Sequence, residues 1–272
     1  MLHPPEKFID IREVIRKKNP ALAKMMPGFM ISLLKRLIHE DEVNRIIYDY
    51  RNSQGLDFVR SALDDMKVSY SMKGLDQVPL QGRYIFASNH PLGGFDGLVL
   101  MDAIGTVFPE IRFIVNDLLL NIKNFEPVFV PVNKHGRQSA EYARKIDETY
   151  SSNAQVLYFP AGLCSRKIKG RIADPQWNKN FIQKAVQYQR DVVPVYFEGR
   201  NSNFFYNLAN LRKKLRIKAN LEMTFLVDEF FKQKGQHVQL TFGAPMAYTI
   251  FDKSKNYYQW TDIVRERVYA MR

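Results

Sequence analysis

Residues Tyr84–Leu100 read YIFASNHPLGGFDGLVL. A short apolar run suited to a buried strand ends near Ser88. Asn89, His90, Pro91, two glycines and Asp96 then follow before the chain turns apolar again. This order of strand, polar turn and apolar helix is the first half of a βαβ unit. In open α/β sheets, ligand sites form beyond the carboxyl ends of the strands, and Asn89 and His90 would lie there. A loop histidine with an aspartate close behind can form a dyad. The carboxylate holds the proton of one ring nitrogen while the other nitrogen takes a proton from an alcohol or amine. Gly93 and Gly94 let the backbone fold tightly enough for His90 and Asp96 to meet, and they can present backbone N–H groups to a developing oxyanion. A turn held by a structural hydrogen bond fits the same spacing equally well.

Working outward, strands and helices alternate. RYIFAS is a strand, DGLVLMDAIG a helix stopped near Gly105, and RFIVN a strand. After PVFVPVN a helix is expected from about Gln138, with Ala140, Ala143, Ile146 and Tyr150 at helical spacing. AQVLYFP and VVPVYF suit buried strands on either side of the helix NFIQKAVQYQR. Helices over FFYNLANLRKKL and LEMTFLVDEFFKQ precede a last strand, VQLTFG, and a terminal helix, WTDIVRERVYAM. The pattern predicts an α/β fold with a mostly parallel sheet flanked by helices.

Upstream lies an N-terminal helical extension, placed at 1–75 with the main domain at 76–272. In it Phe8, Ile11 and Ile15 share a helical face, a further helix is expected through EDEVNRIIYDY, and PGFMISLLKRLIH sets Met30, Leu33, Leu34, Leu37 and Ile38 on a wide apolar face. Such a helix either packs on its own domain or lies at a membrane interface.

The composition is that of a globular chain, with 46% apolar and 25% charged residues in 272. Forty Lys and Arg against 28 Asp and Glu leave a net charge of +12, which favours polyanions such as nucleic acid, anionic lipid or an acidic protein. No basic block of the kind that makes a nucleic-acid tail is present, so no nucleic-acid partner is expected. The start lacks the pattern of a secretory signal, and no window reaches the roughly 18 uninterrupted apolar residues of a membrane span. One cysteine, Cys164, cannot form an internal disulfide, and a reducing cytoplasmic compartment is the simplest setting. His3, His39, His135 and His237 show no metal-ligand spacing, so no metal site is expected.

Three blocks carry a resemblance. SNHPLGGFDG (Ser88–Gly97) resembles the first motif of the glycerolipid acyltransferase family, which includes the lysophosphatidic acid acyltransferases and bacterial hemolysin-like relatives. YFPAGLCSR (Tyr158–Arg166) is similar to the third motif, usually F-P-E-G-T-R-S, and VVPVYF (Val192–Phe197) to the fourth. The second motif is matched only loosely, by FEPVFVPVNKHGR. The tail from GRNSNFFYNLANLRKKL resembles the hemolysin-like branch, which includes acyltransferases making ornithine and glycine lipids.

The resemblance implies direct transfer of an acyl group from a thioester to a hydroxyl of a lyso-lipid acceptor. His90 would be the general base, Asp96 its orienting carboxylate, and Asn89 a residue that fixes the loop. Asn89, Gly93, Gly94, Gly162, Ser165, Arg166 and Lys167 would contact substrate. The donor would be an acyl carrier protein or coenzyme A thioester, with no resident cofactor. Carrier protein and anionic lipid would be the partners of the basic surface, at the inner face of the cytoplasmic membrane.

This sequence departs from the family pattern in three places. The family's first motif is one residue shorter between His and Asp than the stretch PLGGF here. Ala161 and Cys164 stand where the third motif has Glu and Arg. Those two residues are associated with a glycerol-phosphate acceptor. Their loss leaves two readings: Arg166 or Lys167 substitutes at a shifted register, or the acceptor lacks that phosphate, as a lyso-amino-acid lipid with a hydroxyl on its fatty chain would.

Other readings stay open from the residues. Cys164 is a candidate nucleophile activated by His90. The run SRKIKGR is either a solvated loop or a contact for phosphopantetheine phosphate or an acidic carrier. Phe204, Phe205 and Tyr206 are core residues or the lining of an acyl-chain tunnel. A hydrolase using water in place of the alcohol, without the G-x-S-x-G elbow of serine lipases, and a non-catalytic basic lipid-binding protein are the two rivals.

Overall fold

In the computed structural model the described residues are 7–116, 122–132, 140–168, 170–217 and 220–272. Helices α1 (Ile11–Lys18), α2 (Pro20–Met25), α3 (Gly28–Leu37), α4 (Glu40–Asp49) and α5 (Gly55–Asp65) precede strand β1 (Ser69–Lys73). The alternating region follows as β2 (Tyr84–Ser88), α6 (Gly94–Gly105), β3 (Ile111–Asn116), β4 (Phe129–Val132), α7 (Ala140–Ser151) and β5 (Gln155–Tyr158). A hairpin of β6 (Arg166–Ile168) and β7 (Arg171–Ala173) leads to α8 (Asn180–Tyr188) and β8 (Asp191–Phe197). The chain closes with α9 (Asn203–Lys214), α10 (Leu226–Phe231), β9 (His237–Phe242) and α11 (Tyr257–Ala270).

Among the described residues, seven strands form one sheet in the order β1-β9-β8-β2-β5-β3-β4. Only the β8–β9 pairing is antiparallel, so the expected mostly parallel α/β sheet is the one observed. Every residue of β2 is buried, because helices cover both faces of the sheet. The strand's alternation divides the core. Tyr84 and Phe86 join Val99, Ile104 and Phe108 on the α6 side, whereas Ile85 and Ala87 join Phe181, Ile182, Val264 and Val268 on the α8 and α11 side. A short polar strand, β1, completes the sheet against β9.

Several sequence expectations change in detail. Within residues 55–73, α5 packs on α6 and β1 pairs with β9. The physical reason is the apolar face Phe58, Val59, Ala62 and Leu63 of α5, which is buried in the α6-side core. LEMTFLVDEFFKQ is a 3₁₀ turn followed by the short α10 rather than one helix. The terminal helix starts earlier than expected, at a capping box in which Asn256 and Gln259 satisfy each other's backbone N–H groups. The basic run after Ser165 folds as the β6–β7 hairpin, with Lys169 outside the described residues. His3, residues 133–137 of the second motif with His135, and the expected helix start at Gln138 also lie outside them.

Candidate active site

Strand β5 lies on one side of β2 and β8 on the other, so the carboxyl end of β2 is a switch point of the sheet. The loops leaving β2, β5 and β8 meet there. Asn89 ties the first of them down. Its amide accepts from the Phe197 N–H at 2.7 Å and donates to the Phe197 carbonyl at 2.9 Å, joining the loop after β2 to the end of β8. Asn89 is buried, and one donor and one acceptor of its amide serve this loop contact.

His90 is held through its backbone by the loop that follows β5. Its carbonyl accepts from the Ser165 N–H at 2.7 Å. Its N–H points at both oxygens of Asp174, each at 3.2 Å. The imidazole stacks on Phe159, with ring centroids 4.0 Å apart and planes inclined by 19°. The side chain is 16% exposed.

Gly93 makes the turn that returns the carboxylate to the ring. With φ 86° and ψ −131°, it occupies backbone space that side-chain-bearing residues avoid. A Cβ there would also sit 3.3 Å from Leu226. Helix α6 begins at the next residue, Gly94, and Asp96 falls in its first turn. Asp96 Oδ2 lies 3.2 Å from His90 Nδ1 and accepts from the Leu92 N–H at 3.0 Å. The longer His-to-Asp spacing is therefore absorbed by the turn, and the two side chains meet.

A carboxylate can only accept, so His90 Nδ1 carries the proton and Nε2 keeps a lone pair. Asp96 is fully buried, and its Oδ1 has no hydrogen-bond partner among the described residues. The helix N-terminus beside it favours negative charge. This is an arrangement in which an imidazolium formed at His90 would be compensated by a fixed carboxylate.

The third-motif loop supports His90 more than it opens toward a ligand. Ser165 donates its hydroxyl to Asp174 at 2.6 Å, and Trp177 Nε1 donates to the same carboxylate at 2.9 Å. Burial raises the Asp174 pKa, an effect that these donors and His90 partly offset. Tyr269 of α11 accepts from the Asp174 N–H at 2.8 Å. Gly162 has φ 62° and closes the turn with its N–H on the Phe159 carbonyl.

Arg166, expected to contact substrate, faces inward. Its guanidinium is buried, donating to the Cys164 carbonyl at 2.7 Å and to Glu222 at 3.2 Å. Glu222 in turn takes two donors from Arg212, at 2.8 and 3.2 Å. A buried cation needs a partner of this kind, and the partner, 56 residues away, carries no local signal in the sequence. Lys167 is partly buried on β6. Cys164 is buried, and burial pushes its thiol up to about 11 despite the neighbouring Arg166. At neutral pH the nucleophile reading thus has no thiolate to work with.

Asp174, Phe159 and Glu222 are the residues that sequence reading did not single out. Beside the loop, a cavity of about 320 Å³ is lined by Asn89, Pro91, Ser165, Arg200, Tyr269 and Arg272 among others. Among the described residues, no group of three or more His, Cys, Asp or Glu side chains is placed to hold a metal ion.

A fold with a His–Asp pair at the carboxyl end of its central strand is one in which acyl-transfer chemistry can sit. The sequence model of the family described as "Acyltransferase" matches residues 13–272, and the chain belongs to that family. Among relatives, it is 42% identical over 265 residues to a lyso-glycine lipid O-acyltransferase of Bacteroides thetaiotaomicron, covering 97% of each chain. It is 40% identical over 265 residues to the enzyme of the same name from Phocaeicola vulgatus, covering 97% of this chain and 95% of that one. Among solved structures, the 1-acyl-sn-glycerophosphate acyltransferase of Thermotoga maritima superposes with a TM-score of 0.47 at 14% identity, over 88% of this chain and 95% of that one.

Proposed function

We propose that this acyltransferase moves a fatty acyl group from a thioester to the hydroxyl of a lyso-amino-acid lipid, with lyso-glycine lipid as the leading acceptor. The observation that carries the reading is the His90–Asp96 pair at the carboxyl end of β2, with Nδ1 on Asp96 and the side chain 16% exposed. Nε2 takes the acceptor's hydroxyl proton as the oxygen attacks the thioester carbonyl. The backbone N–H groups at the start of α6 are not engaged by the helix's own carbonyls, and they suit the developing oxyanion. Collapse of the tetrahedral intermediate expels the thiolate, which recovers the proton from the imidazolium. Asp96 compensates the imidazolium throughout, and no acyl-enzyme is formed.

The named relatives support a glycine-lipid acceptor. So does the third motif: Ala161 and Cys164 carry no charge there, and Arg166 is committed to Glu222. The +12 charge suits an acidic carrier protein as donor, with coenzyme A as the alternative, and suits anionic lipid as the working surface. On α3 only Ile31 is buried, while Phe29 is 73% and Leu33 61% exposed, with Met25 and Met30 beside them. This apolar face, flanked by Lys24 and Arg36, supports peripheral seating on the inner face of the cytoplasmic membrane. No described helix is long and apolar enough to cross a membrane.

The test is incubation of purified protein with acyl carrier protein and acyl coenzyme A thioesters against lyso-glycine lipid and lysophosphatidic acid. Acylated glycine lipid should form, and His90→Ala should lower its rate by about 10² to 10⁴. Free fatty acid without acylated lipid would establish the hydrolase instead. Undiminished transfer by His90→Ala would remove the mechanism.

A further inference from the structure

Helix α9 carries two apolar faces. One, Phe205, Tyr206 and Ala209, is buried, and its two aromatic residues pack in a small core with Cys164. The other is more exposed, its first member, Phe204, meeting Phe225 edge-on with ring centroids 5.0 Å apart. Phe204, Leu208, Leu211 and Leu215 recur at steps of four, three and four residues, which places them within an arc of about 60° on an α-helix. Phe204 is 53%, Leu211 53% and Leu215 60% exposed, and Leu208 is partly so. Exposed Lys214 lies beside the stripe on the helix, exposed Arg216 and Ile217 follow just past the helix end, and Lys213 falls on the opposite side. An apolar stripe rimmed by cations, directed away from the helix's own core, is the pattern of an element lying in a lipid interface.

We infer that α9 is a membrane-contacting element that seats the protein on an anionic bilayer next to the catalytic loop. The inference rests on the proposed reading that the acceptor is a bilayer lipid. Position supports it. The buried face of α9 packs with Cys164 of the third-motif loop and with Phe225 and Leu226, and Leu226 is the side chain nearest to Gly93. The exposed stripe is thus one layer of side chains from the loop that carries His90. The basic rim matches anionic headgroups, and the four apolar side chains match the acyl region beneath them. An acidic carrier protein would engage the rim but would have little use for so continuous an apolar stripe.

The experiment is flotation of the full chain with vesicles of phosphatidylcholine alone and of phosphatidylcholine mixed equally with phosphatidylglycerol. Turnover is measured in parallel on a vesicle-borne acceptor and on a water-soluble, short-chain version of it. Leu211→Glu/Leu215→Glu should lower vesicle binding about ten-fold and slow turnover of the vesicle-borne acceptor, leaving the short-chain rate unchanged. Lys214→Gln/Arg216→Gln should weaken binding to the phosphatidylglycerol vesicles alone. Unchanged flotation of the leucine variant would overturn the inference. So would a loss confined to carrier-protein-dependent turnover, which would assign the stripe to the donor, or the disruption of a dimer in solution, which would assign it to a second copy. Wild-type protein that floats but acylates neither acceptor would refute the proposed function and leave the membrane contact standing.

Discussion

Asp174 offers the sharpest test of how the loop around His90 is held. Its carboxylate accepts from the His90 N–H, the Ser165 hydroxyl and the Trp177 indole, and Ser165 and Trp177 are 2% and 1% exposed. Asp174→Ala leaves these three donors without an acceptor where water does not readily replace it. Each buried donor left unpaired costs about 1 to 3 kcal/mol, and because the three share one acceptor the losses do not add fully. A destabilisation of about 3 to 5 kcal/mol is expected. Asp174→Asn keeps one acceptor oxygen but turns an amide donor toward donors, so it should fall between wild type and alanine.

The catalytic effect comes from position. The Asp174 contact fixes the backbone that aims the imidazole, and a displacement of about 1 Å in such a site costs on the order of 10²-fold in rate. Both variants should therefore lower kcat far more than they raise KM. Urea unfolding and steady-state kinetics measure the two effects separately. There is also a pH signature. Burial raises the Asp174 pKa, so above the ordinary carboxylate range the native state retains a proton that the unfolded chain has released. This group's contribution to stability then declines as pH rises through that window, and Asp174→Asn should abolish the decline. A folded Asp174→Ala protein with wild-type kcat would refute the positioning role, whatever its stability.

Three other outcomes are expected. Cys164, with its thiol raised to about 11 by burial, should resist alkylation in the native protein at neutral pH, and Cys164→Ser should retain activity within a few-fold, as measured with iodoacetamide labelling and turnover. Gly93→Ala should cost about 1 to 3 kcal/mol from its backbone conformation and should impair turnover by moving Asp96 relative to His90. The Arg45 hydrogen bonds hold the Asp65 carboxyl below its usual range, so the stability they add is present above the ordinary carboxylate pKa and lost as pH falls through the lowered one. Asp65→Asn should accordingly be about 1 kcal/mol less stable at neutral pH, with the gap closing in acid unfolding measurements.

The parallel core of the sheet was legible because its strands are enclosed on both faces. Such strands read as short unbroken apolar runs, as in YIFAS and VVPVYF. β1 was not legible for the converse reason. SYSMK is an edge strand with a mostly polar, partly exposed sequence, and only its pairing with β9 makes it a strand. The hairpin of β6 and β7 has three residues on each side, too few to set a period. Helix α5 did carry a usable signal in the sequence, Phe58, Val59, Ala62 and Leu63 at helical spacing.

The same contrast decides the site. His90, Gly93 and Asp96 form a local device: the turn that brings them together is contained in seven residues, so the residue types alone pointed to it. What holds that device in place is not local. His90 reaches Asp174 across 84 positions, Asn89 reaches Phe197 across 108, and Arg166 reaches Glu222 across 56. Asp174 lies outside every motif and is indistinguishable in sequence from a surface carboxylate. Arg166 lies inside one and invited a ligand-binding role that its burial does not support. A motif names the groups that chemistry needs, whereas the direction each side chain faces depends on partners supplied elsewhere in the fold. At Arg166 that difference bears on function: a cation already paired with Glu222 is a poor receptor for a phosphate, and an acceptor with no phosphate at that position has no need of one.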